Sequence, residues 1–154
     1  MLVATSRSDA CFVDAGLRVS EACGLTWGDV ALVEGVLHVR GQLAPLKPGE
    51  APRIVPTKSV RGVRTVPRPQ EALEALYVGE DDSAFVLRTR RGTPLSRHNA
   101  ARTIREAGER AKLGYVTPHV LRRTTGTALS EARVPEAAAA AILGHSIEVS
   151  TAPT

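Results

Sequence analysis

The stretch Thr117-Pro118-His119-Val120-Leu121-Arg122 decides how the rest of this sequence is interpreted. Its threonine is a favourable helix N-cap and its proline suits the first helical position, so the stretch predicts the beginning of a helix. The histidine and the arginine are three residues apart and are therefore neighbours in the first turns of that helix. Two such side chains beside a helix N-terminus favour an anion.

A second segment, Leu143-Gly144-His145, is predicted to follow the next helix. Residues 130–134 predict the end of the first helix, and Pro135 predicts the beginning of another, which runs through an alanine run to Leu143. Gly144 predicts a left-handed C-cap that turns His145 back toward the anion site. The two segments together predict a phosphate site made of two histidines and one arginine. Leu121, Thr125, Ala128 and Ala132 predict the core-facing stripe of the first helix.

The composition is that of one globular domain. The chain has 154 residues, of which 43% are hydrophobic and 23% are charged, which suits a folded domain with its own core. Aromatic residues make up only 3%, which argues against base stacking on aromatic side chains as the main mode of action.

The positive charge is clustered. Lysine and arginine number 20 against 16 acidic residues, which gives a formal net charge of +4. Two segments without acidic residues carry much of it, and their basic residues are Arg53, Lys58, Arg61, Arg64 and Arg68 in one and Arg88, Arg90, Arg91, Arg97, Arg102 and Arg105 in the other. Such clusters predict a protein that binds a nucleic-acid phosphate backbone. Arginine-rich solvated loops are the alternative.

The cysteines and the first residues bound the class of protein. Cys11 and Cys23 form no CxxC pair and have no histidine at ligand spacing, which argues against a structural zinc site and favours a reducing cytoplasm. Residues 1–13 contain no long apolar run, so we expect neither a signal peptide nor a membrane span there. Residues 1–14 are interpreted as an atypical leader.

Local patterns place short elements along the rest of the chain. A short helix is predicted to end at Gly24, a capped turn buries Trp27, and a loop covers residues 42–50. Further helices are predicted over residues 69–78 and from Ser96 to about residue 112. Strands are predicted over residues 36–40, 53–55, 64–66 and 84–87, with Lys58 in a hairpin between the second and the third. The pattern predicts an α+β fold, mainly α-helical with a small three-stranded antiparallel sheet.

Four motifs resemble, in their order and approximate spacing, the tyrosine recombinase or phage integrase family. They are Gly16-Leu17-Arg18-Val19-Ser20-Glu21, Lys58 six residues before Arg64-Thr65-Val66-Pro67, His119-Val120-Leu121-Arg122 and Leu143-Gly144-His145-Ser146. The resemblance covers residues 15–154 and implies the catalytic-domain fold of the DNA breaking-rejoining type. It implies a site-specific recombinase that cleaves and rejoins DNA through a 3′-phosphotyrosyl intermediate, in DNA integration and recombination.

The resemblance also implies which residues hold the reacting phosphate. Arg18 and Arg122 would neutralise its non-bridging oxygens, as two bidentate guanidiniums can, and His145 would be a further donor. Glu21 would support Arg18 rather than react, although an ordinary surface ion pair with Arg18 is the plainer interpretation of their spacing.

Proton transfer and DNA contacts are assigned by the same resemblance. Lys58 would protonate the leaving 5′-oxygen, and His119 would act as the general acid/base. The chemistry needs neither a metal nor another cofactor, and the sequence lacks the clustered carboxylates of a two-metal nuclease. The residues expected to contact DNA elsewhere are Arg61, Arg64 and Arg97 of the basic segments, and Arg123 of the predicted Thr117 helix.

The nucleophile departs from the family pattern. In the family a tyrosine follows the second histidine closely, whereas no tyrosine follows Tyr115 in this sequence. Either Thr154 replaces the tyrosine or the sequence stops just before it, and we favour truncation, since the helix that would carry the tyrosine is missing as well. Residues 15–154 are therefore expected to be a catalytic domain without its nucleophile-bearing C-terminal segment, and without an N-terminal core-binding domain.

Two other functions stay open at this point. One is a catalytically inactive DNA-binding remnant of such a recombinase, which the missing tyrosine favours. The other is a basic helix-turn-helix regulator, which leaves Arg18, Lys58 and His145 unexplained. The expected partner is double-stranded DNA, with a homo-oligomer, a tetramer on DNA, in the complete protein. We expect a cytoplasmic protein without a membrane partner.

Overall fold

The computed structural model describes residues 15–68, Leu73 and residues 81–144. Four helices have both ends among these residues: α1 (Val19–Gly24), α2 (Arg97–Arg110), α3 (Pro118–Glu131) and α4 (Glu136–Leu143). Two 3₁₀ turns cover Trp27–Asp29 and Val60–Gly62. Within these described residues, no helix is long and apolar enough to cross a membrane.

Local capping explains where the long helices begin. The hydroxyl of Ser96 accepts a hydrogen bond from the backbone N–H of Asn99 at the start of α2, at 3.2 Å. The hydroxyl of Thr117 accepts one from the N–H of Val120 at the start of α3, also at 3.2 Å. Both side chains satisfy a backbone donor that the first helical turn leaves free. The predicted starts of both helices are confirmed.

In the part of the chain that the structure describes, five short strands form two antiparallel sheets. They are β1 (Val30–Ala31), β2 (Val36–Val39), β3 (Gln42–Leu43), β4 (Ile54–Val55) and β5 (Arg64–Pro67). Three strands lie in the order β1-β2-β5, so that Leu37 of the central strand faces Val30 on one side and Val66 on the other. The other two strands, β3 and β4, pair separately. A three-stranded antiparallel sheet is confirmed, but its third member is β1 rather than the predicted strand at residues 53–55.

The predicted hairpin between residues 53–55 and 64–66 is wrong, and so is the loop predicted at residues 42 and 43. Strand β4 pairs with β3, whereas β5 pairs with β2. The side-chain amide of Gln42 donates to the carbonyl oxygen of Pro56 at 3.1 Å, which holds the end of β4 beside β3. Residues 56–63 then lead to the other sheet. Lys58 therefore lies in the connection between two sheets.

Two more segments differ from prediction or lie outside the described residues. The strand predicted over 84–87 is reduced to one bridge between Thr26 and Phe85, although Val86 and Leu87 are buried as expected. The helix predicted over 69–78 lies outside the described residues except for Leu73, which is helical and completely buried.

The core lies between the three-stranded sheet and the helices α1 and α2. Its fully buried members come from distant parts of the chain, and they include Leu17, Cys23, Leu37, Val66, Leu73 and Leu95. A smaller cluster of Ile104 and Val116, with Leu121 against it, joins α2 to the start of α3. The predicted burial of Trp27 is confirmed, with 6% of its surface exposed.

The predicted core-facing stripe of α3 is wrong in its second half. Leu121 and Thr125 are partly buried, but Ala128 and Ala132 are exposed. The buried residue of this helix is Arg122. Helix α3 therefore packs on the rest of the chain through the face that carries its arginine, and that face leads to the site described next.

Candidate active site

A buried carboxylate lies at the centre of the site. Glu21 of α1 is 1% exposed, and its two oxygens accept three hydrogen bonds. The donors are the backbone N–H of Arg18 at 2.9 Å, Nη1 of Arg18 at 2.7 Å and Nη2 of Arg64 at 3.0 Å. The pair of Arg18 and Glu21 is thus part of a buried network rather than an ordinary surface ion pair.

The surroundings of Glu21 keep it charged. Burial alone would raise its pKa, since a carboxylate loses hydration in the interior. The hydrogen bond and positive charge of Arg64, together with the bonds from the backbone and side chain of Arg18, outweigh that penalty and lower the pKa below the usual value. The carboxylate is therefore an anion at neutral pH and can hold two guanidiniums in place.

The C-terminal end of α4 gathers three guanidiniums on three consecutive carbonyl oxygens. Arg64 donates from Nε to Ile142 at 2.6 Å, Arg122 donates from Nη2 to Leu143, and Arg18 donates from Nη2 to Gly144 at 3.2 Å. The last carbonyls of a helix have no partner within the helix and carry partial negative charge. They are therefore suited to orient cations that come from other segments.

Arg122 is more deeply buried than Arg18, the other arginine that the sequence assigned to the phosphate. It is 9% exposed, and its Nη1 donates to the carbonyl of Gly16. Burial lowers the pKa of Arg122 to about 10, with the charges of Arg18 and Arg64 acting in the same direction and Glu21 opposing them. Three guanidiniums thus lie near one carboxylate, which bonds to two of them, and this excess of positive charge favours an anion at the site.

Two glycines allow the backbone to approach this cluster. Gly16 has φ +70°, and a Cβ there would lie 2.6 Å from Cδ2 of Leu143. Gly144 has φ +64° in the left-handed C-cap that the sequence predicted, and a Cβ there would lie 3.0 Å from the carbonyl oxygen of Arg61. Both positions require a residue that adopts positive φ and carries no side chain.

A groove of about 440 Å³ runs along one face of α3 beside the cluster. Its lining consists of His119, Arg122, Arg123, Gly126, Thr127, Ser130 and Leu143. His119 is exposed at the helix start, and Arg123 is exposed one residue after the buried arginine. The predicted pairing of His119 and Arg122 at one end of α3 is therefore present, with open space in front of both.

The other predicted residues are placed as follows. Lys58 and Arg61 are exposed in the connection between the sheets, and Arg97 is exposed at the start of α2. His145 lies outside the described residues. Arg64 has only 5% of its side chain exposed, because all three of its nitrogens bond to protein groups. Its position therefore argues against the direct DNA contact that we predicted for it.

Sequence reasoning missed the part that Arg64 plays around Glu21. The carboxylate needs more donors than Arg18 alone provides when it is fully buried. Burial of Glu21 was the missing information, since an i,i+3 pair on a short helix is compatible with an exposed position. Within residues 15–68, 73 and 81–144, no cluster of three or more histidine, cysteine or acidic side chains is arranged to hold a metal ion.

The sequence profile of the phage integrase family matches residues 10–152. The chain is 34% identical over 137 residues to tyrosine recombinase XerD of Corynebacterium glutamicum, covering 88% of this chain and 42% of that protein. It is 36% identical over 135 residues to tyrosine recombinase XerA of Thermococcus kodakarensis, covering 86% and 43%. The chain thus spans less than half the length of these relatives.

Solved structures have the same fold. The integrase of transposon Tn1549, in complex with transposon right end DNA, superposes with a TM-score of 0.73 at 26% identity, over 92% of this chain and 50% of that one. The XerA recombinase superposes with a TM-score of 0.65 at 26% identity, over 90% and 46%. The chain belongs to the phage integrase family and has the α+β fold of tyrosine recombinase catalytic domains.

Proposed function

We propose that this phage integrase family chain is a catalytic domain that binds a DNA phosphodiester and, in the complete protein, breaks and rejoins DNA strands. The observation that carries the proposal is the cluster of Arg18, Arg64 and Arg122 around one buried carboxylate and the end of α4. The cluster holds more positive than negative charge, so a phosphate is the anion that would complete it.

The two arginines that the sequence assigned to the phosphate are held ready for it. Arg18 has 31% of its side chain exposed, which leaves donor capacity facing solvent, and Arg122 lines the groove. Donors fixed before the phosphate arrives stabilise the crowded, more highly charged transition state without reorganising during the reaction. His145 is proposed as a further donor to the same phosphate.

Proton transfer is assigned to the exposed side chains around the groove. His119 is the general acid/base that takes the proton from the attacking hydroxyl, and Lys58 protonates the leaving 5′-oxygen. We propose that the nucleophile is a tyrosine of the complete protein, as the family pattern implies, since both tyrosines of this sequence precede the His119 helix. Its attack breaks the bond to the 5′-oxygen and forms a 3′-phosphotyrosyl link, which rejoining reverses.

Double-stranded DNA is the proposed partner. The Tn1549 integrase was solved with its transposon end DNA, and this chain offers exposed arginines at Arg61, Arg97 and Arg123 for further phosphates. We further propose that the complete protein acts as a homo-oligomer, a tetramer on DNA.

DNA binding is tested first, on the 154-residue chain. Arg18→Ala and Arg122→Gln are compared with Arg40→Ala, whose guanidinium is 66% exposed and pairs with Asp29 at 3.5 Å. Fluorescence anisotropy of a labelled duplex measures affinity over a salt series. We expect each site variant to bind about tenfold more weakly, the loss of one charge-assisted phosphate contact, with Arg40→Ala unchanged. Equal affinity of all four proteins contradicts the proposed site.

Catalysis is tested in a chimera. Residues 15–144 replace the matching region of the Corynebacterium glutamicum relative, and the protein is incubated with nicked DNA carrying that relative's own site. A covalent DNA adduct that disappears with Arg18→Ala supports the catalytic proposal. DNA binding without any adduct supports the inactive remnant instead.

A further inference from the structure

We propose that Arg64 is a positioning residue that holds Arg18, Arg122 and the segment carrying Lys58 in one arrangement around the phosphate. The inference rests on the proposed function of this site. The role differs from that of a DNA-binding arginine, since Arg64 acts through the groups that it orders and touches no substrate.

Each nitrogen of the Arg64 guanidinium bonds to a different part of the chain. Nη2 donates to Glu21 at 3.0 Å, Nε donates to the carbonyl of Ile142 at 2.6 Å, and Nη1 donates to the carbonyl of Gly62 at 2.9 Å. These acceptors belong to α1, to the last turn of α4 and to the 3₁₀ turn that follows Lys58. One planar side chain therefore fixes the relative positions of three segments that are far apart in the sequence.

The bond to Glu21 connects Arg64 to Arg18. The two oxygens of the carboxylate are divided between the guanidiniums, because Oε1 accepts from Nη1 of Arg18 while Oε2 accepts from Nη2 of Arg64 and from the backbone N–H of Arg18. Arg64 also makes the first contribution that lowers the pKa of Glu21 against burial. Without Arg64, the carboxylate that orients Arg18 would lose one hydrogen bond and the nearby positive charge that lowers its pKa.

The bond to Ile142 connects Arg64 to Arg122. The next carbonyl along the chain, that of Leu143, accepts from Arg122, and the one after it, that of Gly144, accepts from Arg18. A shift of the last turn of α4 would therefore move the acceptors of both arginines together. Residues 56–63, which contain Lys58, are called the lysine segment. Among the hydrogen bonds of the described residues, Arg64 is the only one of the three guanidiniums that also reaches this segment.

The lysine segment is fixed from two sides. The carbonyl of Gly62 accepts from Arg64, and the carbonyl of Arg61 approaches Gly144 so closely that a Cβ there would lie 3.0 Å away. The Lys58 side chain itself is exposed. The base of the segment is thus anchored while the lysine stays free to reach the leaving oxygen.

The experiment is a double-mutant cycle on DNA affinity with the 154-residue chain and a short labelled duplex. The proteins are wild type, Arg18→Ala, Arg64→Gln and the double variant, with Arg40→Gln as the matched control. We expect Arg18→Ala to weaken binding about tenfold in the wild type and less than about twofold in Arg64→Gln. Binding is compared only between proteins that retain the near-ultraviolet circular dichroism of a folded chain.

Two outcomes overturn the inference. The first outcome has two parts: Arg18→Ala weakens DNA binding by the same factor with and without Arg64, and Arg64→Gln reduces the slope of log affinity against log salt by the amount expected for one phosphate contact. In that case Arg64 binds a phosphate directly. If folded Arg64→Gln binds DNA like wild type and responds to Arg18→Ala like wild type, Arg64 serves stability alone. If the Arg18→Ala variant binds DNA as tightly as wild type, the proposed phosphate site itself is contradicted. Failure of the proposed function is therefore distinguishable from failure of the positioning role.

A measurement on the unmodified chain covers the case in which Arg64→Gln does not fold. Nitrogen-15 spectra of the arginine Nε–H groups are recorded before and after the duplex is added. We expect the Arg64 Nε–H to exchange slowly with water in both states and to keep its shift, while the Arg18 signal moves. Fast exchange of the Arg64 signal, or a DNA-induced shift as large as that of Arg18, overturns the positioning role.

Discussion

Replacing Glu21 by glutamine should destabilise the domain by about 3 kcal/mol, because the substitution removes the only carboxylate that contacts the guanidinium cluster among the described residues. The side chain of Glu21 is fully buried, and that of Arg64 is 5% exposed, at 3.0 Å from it. Glutamine has nearly the same shape, so the core keeps its packing. The energetic loss therefore reports the charge and the hydrogen bonds.

The size of the effect follows from the three bonds. Breaking a buried ion pair by removing one partner costs about 3 to 5 kcal/mol, and this range applies to the bond with Arg64. The bond with Arg18 counts for less, because 31% of that side chain is exposed and water screens its charge. Glutamine keeps one oxygen acceptor but turns an amide N–H₂ toward a guanidinium donor. The lower end of the range, about 3 kcal/mol, is therefore expected.

Urea unfolding followed by the fluorescence of Trp27 measures the free energy of unfolding. Trp27 suits the assay because it is the single tryptophan of the chain and 6% exposed. The matched control is Glu106→Gln, in which the carboxylate is 50% exposed and pairs with Arg102 at 3.8 Å. We expect the control to cost at most about 1 kcal/mol. Losses of equal size in the two variants would refute the conclusion that Glu21 holds the cluster together.

The remaining predictions concern pH, a glycine and a helix cap. Since the folded pKa of Glu21 is lowered, the unfolded chain binds more protons at acid pH. The stability that Glu21 contributes is therefore complete above its ordinary pKa of 4.5 and lost as pH falls through the folded value; urea unfolding at several pH values should show a shallower acid loss in Glu21→Gln than in wild type. Gly144→Ala should cost about 2 kcal/mol or more, since φ is +64° and the new Cβ meets the carbonyl of Arg61, whereas Gly92→Ala, with φ +79° and open space around it, should cost only the strain of about 1 kcal/mol. Equal losses in these two glycine variants would contradict the close contact. Thr117→Ala should cost about 1 kcal/mol through loss of the α3 N-cap, against a smaller change for the exposed Thr124→Ala; both are measured by thermal unfolding, and the reverse order would contradict the capping assignment.

Local signals in the sequence predicted the helices well. Thr117 and Ser96 cap their helices through atoms three residues away, and Gly144 ends α4 through its own φ angle. Each of these depends on neighbours along the chain, so a short stretch of sequence contains the whole cause. The prediction that His119 and Arg122 share one end of α3 held for the same reason.

Long-range pairing could not be obtained in this way. The segment Ile54–Val55 has the composition of a strand, but whether it pairs with residues 64–66 or with Gln42–Leu43 depends on how two distant segments meet. A two-residue strand offers no alternation pattern that fixes its partner. The burial of Arg122 instead of Ala128 is similar, since a guanidinium enters the interior only because carbonyls of Gly16 and Leu143 meet it there.

The buried positions of Glu21, Arg64 and Arg122 have one consequence in common, which is that the guanidinium groups are held in fixed positions. A guanidinium in water is mobile and hydrated, and it would have to lose that freedom when a phosphate binds. Glu21 and the carbonyls of Ile142, Leu143 and Gly144 replace the water around Arg18, Arg64 and Arg122 before any phosphate is present. Burial lowers the pKa of Arg122, because its charge is less well solvated in the interior than in water, and the phosphate that we propose for this site would supply a further interaction with that charge.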